Sequence, residues 1–189
     1  ESGAGSPPSS AEKRMPESLA KTALAHDEEL PIAQHADGAA ASARFLAPKA
    51  ITVDSLGNQF VIDKMPDGDS IIRKITPEGH VSTLTSPTAS IPDNLLRWRP
   101  VTPHATTLSG IVVDSQGVLY VSNTSRGTIE KVAANGMVGL FAGTPNFNAH
   151  KDGLAGEASL YFPGPMAIDA EGTIYITDES NRTVRKISP

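Results

Sequence analysis

The sequence predicts an all-β fold built from repeated antiparallel sheets, and three observations support this prediction. One pattern of alternating β-branched and polar residues occurs three times, with aspartates spaced 60 and 55 residues apart. Such a period is typical of propeller blades. The chain of 189 residues also contains 16 glycines and 15 prolines, which favours many short strands joined by turns. Finally, each aspartate is followed three residues later by a glycine, giving the pairs Asp54 and Gly57, Asp114 and Gly117, and Asp169 and Gly172.

Each copy of the pattern begins with a predicted hairpin. Apolar residues alternate before the aspartate, and a second apolar run follows the glycine at 60–62, 119–121 and 174–176. The aspartate side chain can accept hydrogen bonds from turn amides, and glycine tolerates a positive φ. The D-x-x-G motif therefore predicts a tight turn between the first two strands.

Two further strands complete each predicted unit. A polar loop opens with Asp63, Asn123 or Asp178 and leads to a third strand, and a fourth strand follows Gly79 and Gly136 in the first two copies. Each unit is therefore a predicted four-stranded antiparallel meander. The expected strands lie near 49–54, 59–62, 70–75, 81–85, 109–114, 118–122, 128–132, 138–142, 166–169, 173–177 and 183–187.

Each third strand carries two adjacent charged residues: Arg73-Lys74, Glu130-Lys131 and Arg185-Lys186. One side chain of each pair should face the neighbouring sheet, where its aliphatic stem covers apolar surface and its head reaches blade-edge aspartates.

A second repeated motif, an Asp-Gly dipeptide, lies upstream of the hairpins. Asp37-Gly38 precedes Asp54 by seventeen residues, and Asp152-Gly153 precedes Asp169 by seventeen. The middle copy lacks this dipeptide and has "NLLRWRPVTPH" instead.

These motifs together resemble the NHL repeat, especially its bacterial form with D-G, A-x-F, a strand ending in D, G-x-x-Y-V-x-D and I-R-K-I. The resemblance covers 37–189, and the middle copy departs from it at Ser122, Asn123 and Glu130. It implies a β-propeller, usually six-bladed and used as a binding platform. We therefore expect three blades, at about 37–86, 87–143 and 144–189, forming half of a six-bladed ring.

The N-terminal part of the chain differs in composition. Residues 1–21 are rich in Pro, Ser and Ala, which predicts a disordered tether and favours an extracytoplasmic location, periplasmic or secreted. Residues 22–36 predict either a closing strand or a short helix. The third copy has no fourth strand before Pro189, so we expect a homodimer, in which Thr22 to Ala25 of one chain complete the third blade of the other. A longer propeller and a different covering subunit are the alternatives.

The long connections between blades and the loops after the second strands share one predicted face, which is the candidate binding surface. Trp98 could stack on a ligand or fill a small core, and for Tyr161 and Phe162 the sequence favours packing between blades. Loop charges such as Arg126 could simply be solvated. The candidate ligand contacts are Arg97, Trp98, Arg99, His104, Arg126, Tyr161 and Arg182.

Composition narrows the function. The net charge is −5 without a basic block, which argues against nucleic-acid binding, and no apolar run is long enough to span a membrane. The histidines are scattered and there is no cysteine, so we predict no metal, cofactor or catalytic residue. The leading hypothesis is a non-enzymatic scaffold that binds a protein, peptide or glycan. The alternative is a metal-dependent lactonase, hydrolase or lyase resembling gluconolactonase-like or peptide-amidating propellers.

Overall fold

A computed structural model describes residues 35–85, 106–134 and 136–189, and all regular structure in these ranges is β. The expectations for residues 1–21 and for most of 22–36 fall outside the described residues. The strands are β1 Gly38–Ala39, β2 Pro48–Val53, β3 Gln59–Lys64, β4 Ser70–Ile75, β5 His80–Thr85, β6 Leu108–Val113, β7 Leu119–Asn123, β8 Thr128–Val132, β9 Val138–Ala142, β10 Pro163–Ile168, β11 Ile174–Asp178 and β12 Thr183–Ile187.

The strands form three antiparallel sheets, which we call blades 1, 2 and 3. Blade 1 has the order β1-β5-β4-β3-β2, blade 2 has β6-β7-β8-β9, and blade 3 has β10-β11-β12. Eleven of these twelve strands were predicted from the sequence, within a few residues at each end. The addition is β1, a two-residue strand that pairs with the outer strand β5.

The D-x-x-G turns form as predicted. Asp54 Oδ1 accepts hydrogen bonds from the amides of Leu56 at 2.9 Å and Asn58 at 2.8 Å, and Gly57 has a φ of 83°. The same two bonds recur at Asp114, and Asp169 accepts one of them, from the amide of Thr173 at 2.8 Å. Because the side chain bonds the turn amides, each aspartate fixes its hairpin.

The blades stack through apolar residues on their faces. Phe60, Ile62 and Ile72 of blade 1 pack against Leu119 and Val121 of blade 2. A second core joins blades 2 and 3, with members that include Val112, Tyr120, Ile129, Ile174 and Ile176. Four-stranded meanders that stack face to face in this way are the blades of a β-propeller. The all-β propeller fold is therefore confirmed, with three blades as part of a ring.

Gly110 allows the inner strands of blades 2 and 3 to lie close together. A Cβ built on Gly110 would lie 2.8 Å from the carbonyl oxygen of Gly164 and 3.0 Å from the amide nitrogen of Met166. Both strands carry an irregularity in pairing register here, between Leu108 and Ile111 and between Pro163 and Met166. Only a residue without a side chain allows the two backbones to approach this closely.

Candidate functional site

The loop face is held to the blades by buried carboxylates that end the second strands. Asp63 is wholly buried and accepts hydrogen bonds from the amides of Leu46 at 3.1 Å and Ala47 at 2.8 Å. Asp178 occupies the same place in blade 3 and accepts from the amide of Tyr161 at 2.8 Å. These carboxylates thus attach the connection that enters each blade to the end of its second strand.

An arginine completes this arrangement from the third strand, as the sequence predicted. Arg73 donates from Nη1 to the carbonyl of Arg44 at 2.9 Å and from Nη2 to the carbonyl of Ala36 at 2.8 Å. Its Nη2 also lies 2.9 Å from Asp37, and its Nη1 lies 3.5 Å from Asp63. Since both terminal nitrogens of the guanidinium are bound by the fold and the side chain is wholly buried, Arg73 is structural, although its Nε has no hydrogen-bond partner among the described residues.

Blade 3 repeats the arrangement closely. Arg185 donates to the carbonyls of Ser159 and Lys151, each at 2.9 Å, and its Nη1 lies 3.1 Å from Asp178. Its Nη2 lies 2.6 Å from Asp152, the counterpart of Asp37.

Blade 2 has a different set of charges at the same place. Glu130 is wholly buried, and its Oε1 accepts from Asn123 Nδ2 at 3.0 Å. Burial raises the pKa of the Glu130 carboxyl, against the opposing effects of the Arg126 charge and the hydrogen bonds from Asn123 and Thr128. Among the described residues, Glu130 Oε2 has no hydrogen-bond partner.

Two aromatic side chains stand at the loop end of blade 3. The rings of Tyr161 and Phe162 lie 5.3 Å apart. Phe162 has a φ of 58° and is 45% exposed, so packing between blades, which the sequence favoured, is wrong for this ring. Its counterparts at the start of the inner strand are Ala47 and Thr107, neither of which has a positive φ.

Backbone hydrogen bonds join the next loop, which carries two charged residues, to this aromatic pair. The Phe162 carbonyl accepts from the Glu179 amide at 3.2 Å, and the Glu179 carbonyl accepts from the Arg182 amide at 3.0 Å. The Glu179 carboxylate lies over Gly164, where a Cβ would collide with it. We call Tyr161, Phe162, Glu179 and Arg182 the blade 3 loop patch.

The structure brings together some of the residues that the sequence singled out. Tyr161 and Arg182 belong to the blade 3 loop patch, with Arg182 exposed and at a φ of 55°. Arg126 is mostly buried and its Nη1 lies 3.9 Å from Glu130, so it has a structural partner and is not a freely solvated charge. The remaining four, Arg97, Trp98, Arg99 and His104, lie outside the described residues and stay predictions.

Phe162 and Glu179 were not predicted from the sequence as members of the patch. Neither a positive φ nor an exposed ring is visible in "YFPGP", because the same letters would suit a buried aromatic pair. Across the described ranges, no group of three or more His, Asp or Glu side chains has an arrangement that could hold a metal ion. The described part of the chain has no helix that is long and apolar enough to span a membrane.

Comparison with known proteins gives limited sequence similarity. No family model matches the chain. It is 34% identical over 108 residues to Teneurin-3 of Mus musculus and 32% identical over 105 residues to Teneurin-4 of Homo sapiens. These matches cover 47% and 46% of this chain, but only 4% of either relative.

Comparison with solved structures supports the fold. An auxiliary nutrient-binding protein from Bacteroides ovatus matches with a TM-score of 0.54 and 16% identity, over 78% of this chain and 35% of that chain. A streptogramin B lyase matches with a TM-score of 0.50 and 16% identity, over 75% of this chain and 37% of that chain. Both are propellers. At this identity the likeness shows the β-propeller fold, and the chain spans little more than a third of either structure.

Proposed function

We propose that this chain is an NHL-type propeller that acts as a non-enzymatic binding scaffold. It binds a protein, peptide or glycan through the blade 3 loop patch, and the observation that carries the proposal is Phe162. Phe162 is unfavourable in two ways: a bulky residue is strained at a positive φ, and its apolar ring is exposed to water. Because Ala47 and Thr107 fill the same place without a positive φ, blade architecture does not require this conformation.

The chemistry of the patch suits such a ligand. Aromatic rings contribute large contact areas, and they also stack on peptide side chains and on the apolar faces of sugars. Glu179 and Arg182, both exposed in the loop that is hydrogen-bonded to this pair, can orient polar groups. An aromatic pair with two opposite charges in the adjoining loop therefore gives both contact area and directionality.

The buried carboxylates argue against the enzyme alternative. A metal-dependent lactonase or lyase needs carboxylate or imidazole groups free to bind the metal. Asp63 and Asp178 instead accept hydrogen bonds from backbone amides and lie beside the arginines of the third strands. These carboxylates already bind groups within their own blades and are not free to bind a metal.

Features of the sequence and of the fold support the finer parts of this proposal. The three D-x-x-G hairpins and the arginine arrangement of blades 1 and 3 support the NHL type. The Pro- and Ser-rich residues 1–21 support an extracytoplasmic location. Trp98, Arg99 and His104 would extend the binding surface from the connection between blades 1 and 2.

The proposal can be tested by screening the purified chain on glycan and peptide arrays and then measuring the affinity of each hit by calorimetry. Phe162→Asn should weaken binding at least tenfold, because it removes the ring while suiting the backbone conformation. Glu171→Gln, in the exposed D-x-x-G turn at the opposite end of blade 3, is the matched control and should leave binding unchanged.

Two results would contradict the proposal. Ligands that bind Phe162→Asn as tightly as the original chain would show that the patch is not the binding site. Hydrolysis of simple lactones after addition of divalent metals, at a rate that depends on the metal, would favour the enzyme alternative.

A further inference from the structure

Phe162 has a backbone conformation that its own sequence disfavours. Its φ of 58° lies in the left-handed region, which a bulky residue rarely adopts. It also precedes Pro163, and a residue before proline is driven toward an extended conformation. Because a free Phe-Pro dipeptide would leave this conformation, contacts elsewhere in the protein must hold it.

Blade 3 holds Phe162 through the loop that follows its second strand. The amide of Ser180 donates to the carbonyl of Tyr161, and the amide of Glu179 donates to the carbonyl of Phe162, each at 3.2 Å. These two carbonyls belong to the peptide groups on either side of Phe162. The two bonds therefore orient both of these peptide groups.

Blade 2 holds the residues directly after Phe162 through two hydroxyl groups at the end of β7. Thr124 Oγ1 donates to the carbonyl of Pro163 at 3.0 Å, and Ser122 Oγ donates to the carbonyl of Gly164 at 2.8 Å. Pro163 and Pro165 have no amide hydrogen, so neither can donate to the neighbouring blade. The carbonyls of this stretch consequently carry its hydrogen bonds to blade 2.

The same hydroxyl groups are missing in blade 1. The corresponding residues there are Ile62 and Lys64, and neither has a hydroxyl group. Thr107, which takes the place of Phe162 in front of β6, has no positive φ. Ser122 is also one of the residues at which the middle copy departs from the repeat. The hydroxyl groups and the strained residue therefore occur together.

We infer that Thr124 is a positioning residue for the blade 3 loop patch. The inference rests on the proposed function, because it concerns how the ring of Phe162 is presented to a ligand. The amide of Thr124 donates to the carbonyl of Thr107 at 2.9 Å, which fixes Thr124 on blade 2 while its hydroxyl group reaches blade 3. Ser122 assists, but its Oγ also accepts from the amide of Gly110 at 2.7 Å within its own blade.

Blade 2 thereby controls the affinity of a site in blade 3. Without the hydroxyl group of Thr124, the carbonyl of Pro163 loses its donor and Phe162 relaxes toward the extended conformation. The contribution of one hydrogen bond is of the same order as the strain at a positive φ, so this loss is enough to shift the population. A ligand would then have to restore the bound conformation, which weakens binding.

Nuclear magnetic resonance of the isotope-labelled full chain tests the conformation without any ligand. A residue with a positive φ gives a strong Overhauser effect between its own amide proton and Hα, because this φ brings the two protons together. We expect a strong effect at Phe162 in the parent chain. Thr124→Val keeps the shape of the side chain but removes the hydroxyl group, so it should weaken the effect, and Thr124→Ser should restore it.

Calorimetry tests the consequence for binding. The probe is the array ligand whose binding is weakened by Phe162→Asn. Thr124→Val should weaken its binding by about threefold to tenfold, the fold-change that corresponds to one neutral hydrogen bond. Thr124→Ser should bind it as the parent chain does.

Thr144→Val is the matched control. Thr144 Oγ1 donates to the carbonyl of Ala158 at 3.0 Å, which is the same kind of bond at the same length as that of Thr124. Its loss should lower the midpoint of urea unfolding about as much as Thr124→Val does. The Overhauser effect at Phe162 and the affinity should not change.

Three results would overturn the inference: an unchanged Overhauser effect in Thr124→Val, an unchanged affinity in Thr124→Val, or equal changes in Thr124→Val and Thr144→Val. Failure of the proposed function looks different, because no array ligand would then depend on Phe162. In that case the Overhauser effect still decides whether Thr124 holds the conformation of Phe162.

Discussion

Glu130 in blade 2 lies at the position that Arg73 occupies in blade 1. Glu130 is opposite Val121 across β7 and β8, as Arg73 is opposite Val61 across β3 and β4. Arg97, which lies outside the described residues, precedes Asp114 by seventeen residues, as Asp37 precedes Asp54. At the same two positions of the repeat, blade 1 has Asp37 and Arg73, whereas blade 2 has Arg97 and Glu130. The positive and the negative charge are therefore exchanged between the two positions.

We predict that Arg97 stabilises the fold through the Glu130 carboxylate. Arg97→Met should lower the free energy of unfolding by about 1–3 kcal/mol, because the buried carboxylate of Glu130 loses a second cation and keeps only Arg126, at 3.9 Å. In a Glu130→Gln background the same change should have almost no effect. Urea unfolding of the four chains gives the coupling, and Arg99→Met is the control. Equal losses in both backgrounds would show that Arg97 acts on stability without Glu130 and would contradict the prediction.

Asp37 should make the stability of blade 1 depend on acid pH. Burial acts to raise the pKa of Asp37, but hydrogen bonds from Thr83 and the charge of Arg73 outweigh it, and the pKa lies below the ordinary 3.8. A carboxyl with a lowered pKa contributes stability above its unfolded pKa and loses it as the pH falls through the folded value. Asp37→Asn should therefore destabilise more near pH 7 than at about pH 3.

Urea unfolding at the two pH values measures this difference. Glu157→Gln, at an exposed carboxylate, is the control and should show the same small effect at both. If Asp37→Asn lowers the free energy of unfolding equally at both pH values, the charge of Asp37 does not contribute to stability.

Two glycine-to-alanine changes in strands should have opposite signs. Gly110→Ala should destabilise by about 1–3 kcal/mol, because the new methyl group meets the backbone of the neighbouring blade at Gly164. Gly139→Ala in β9 has no atom within 4 Å of its Cβ, and it should stabilise by about 0.4–1 kcal/mol through the unfolded chain. Thermal unfolding distinguishes the two. A stabilising Gly110→Ala would show that the inner strands can separate without loss.

The strands were predictable because a hairpin pattern is local. The conformation of each D-x-x-G turn is determined by two residues that are three positions apart, an aspartate that accepts hydrogen bonds and a glycine that tolerates a positive φ. The three copies of the pattern strengthen the prediction. The blade 3 loop patch was only half predictable, because exposure and φ at Phe162 depend on contacts between 161–162 and the distant loop at 179–182. The burial of Glu130 could not be predicted either. The sequence shows Glu130 as a departure from the repeat, but its burial depends on the neighbouring strands.

The conformation of Phe162 makes its contribution to stability separable from its contribution to binding. A positive φ of 58° is unfavourable for a bulky side chain, by about 1–2 kcal/mol, and is best tolerated by glycine and asparagine. Phe162→Asn should therefore leave the free energy of unfolding unchanged or raise it by about 1 kcal/mol. Phe162→Val should lower it, because a β-branched residue suits this φ least. The exposed Phe147, which lacks a positive φ, is the matched control, and its Asn and Val variants should differ little. Denaturant unfolding decides the matter: if Phe162→Asn is destabilised as much as Phe162→Val, the ring supports the fold and is not displayed for a ligand.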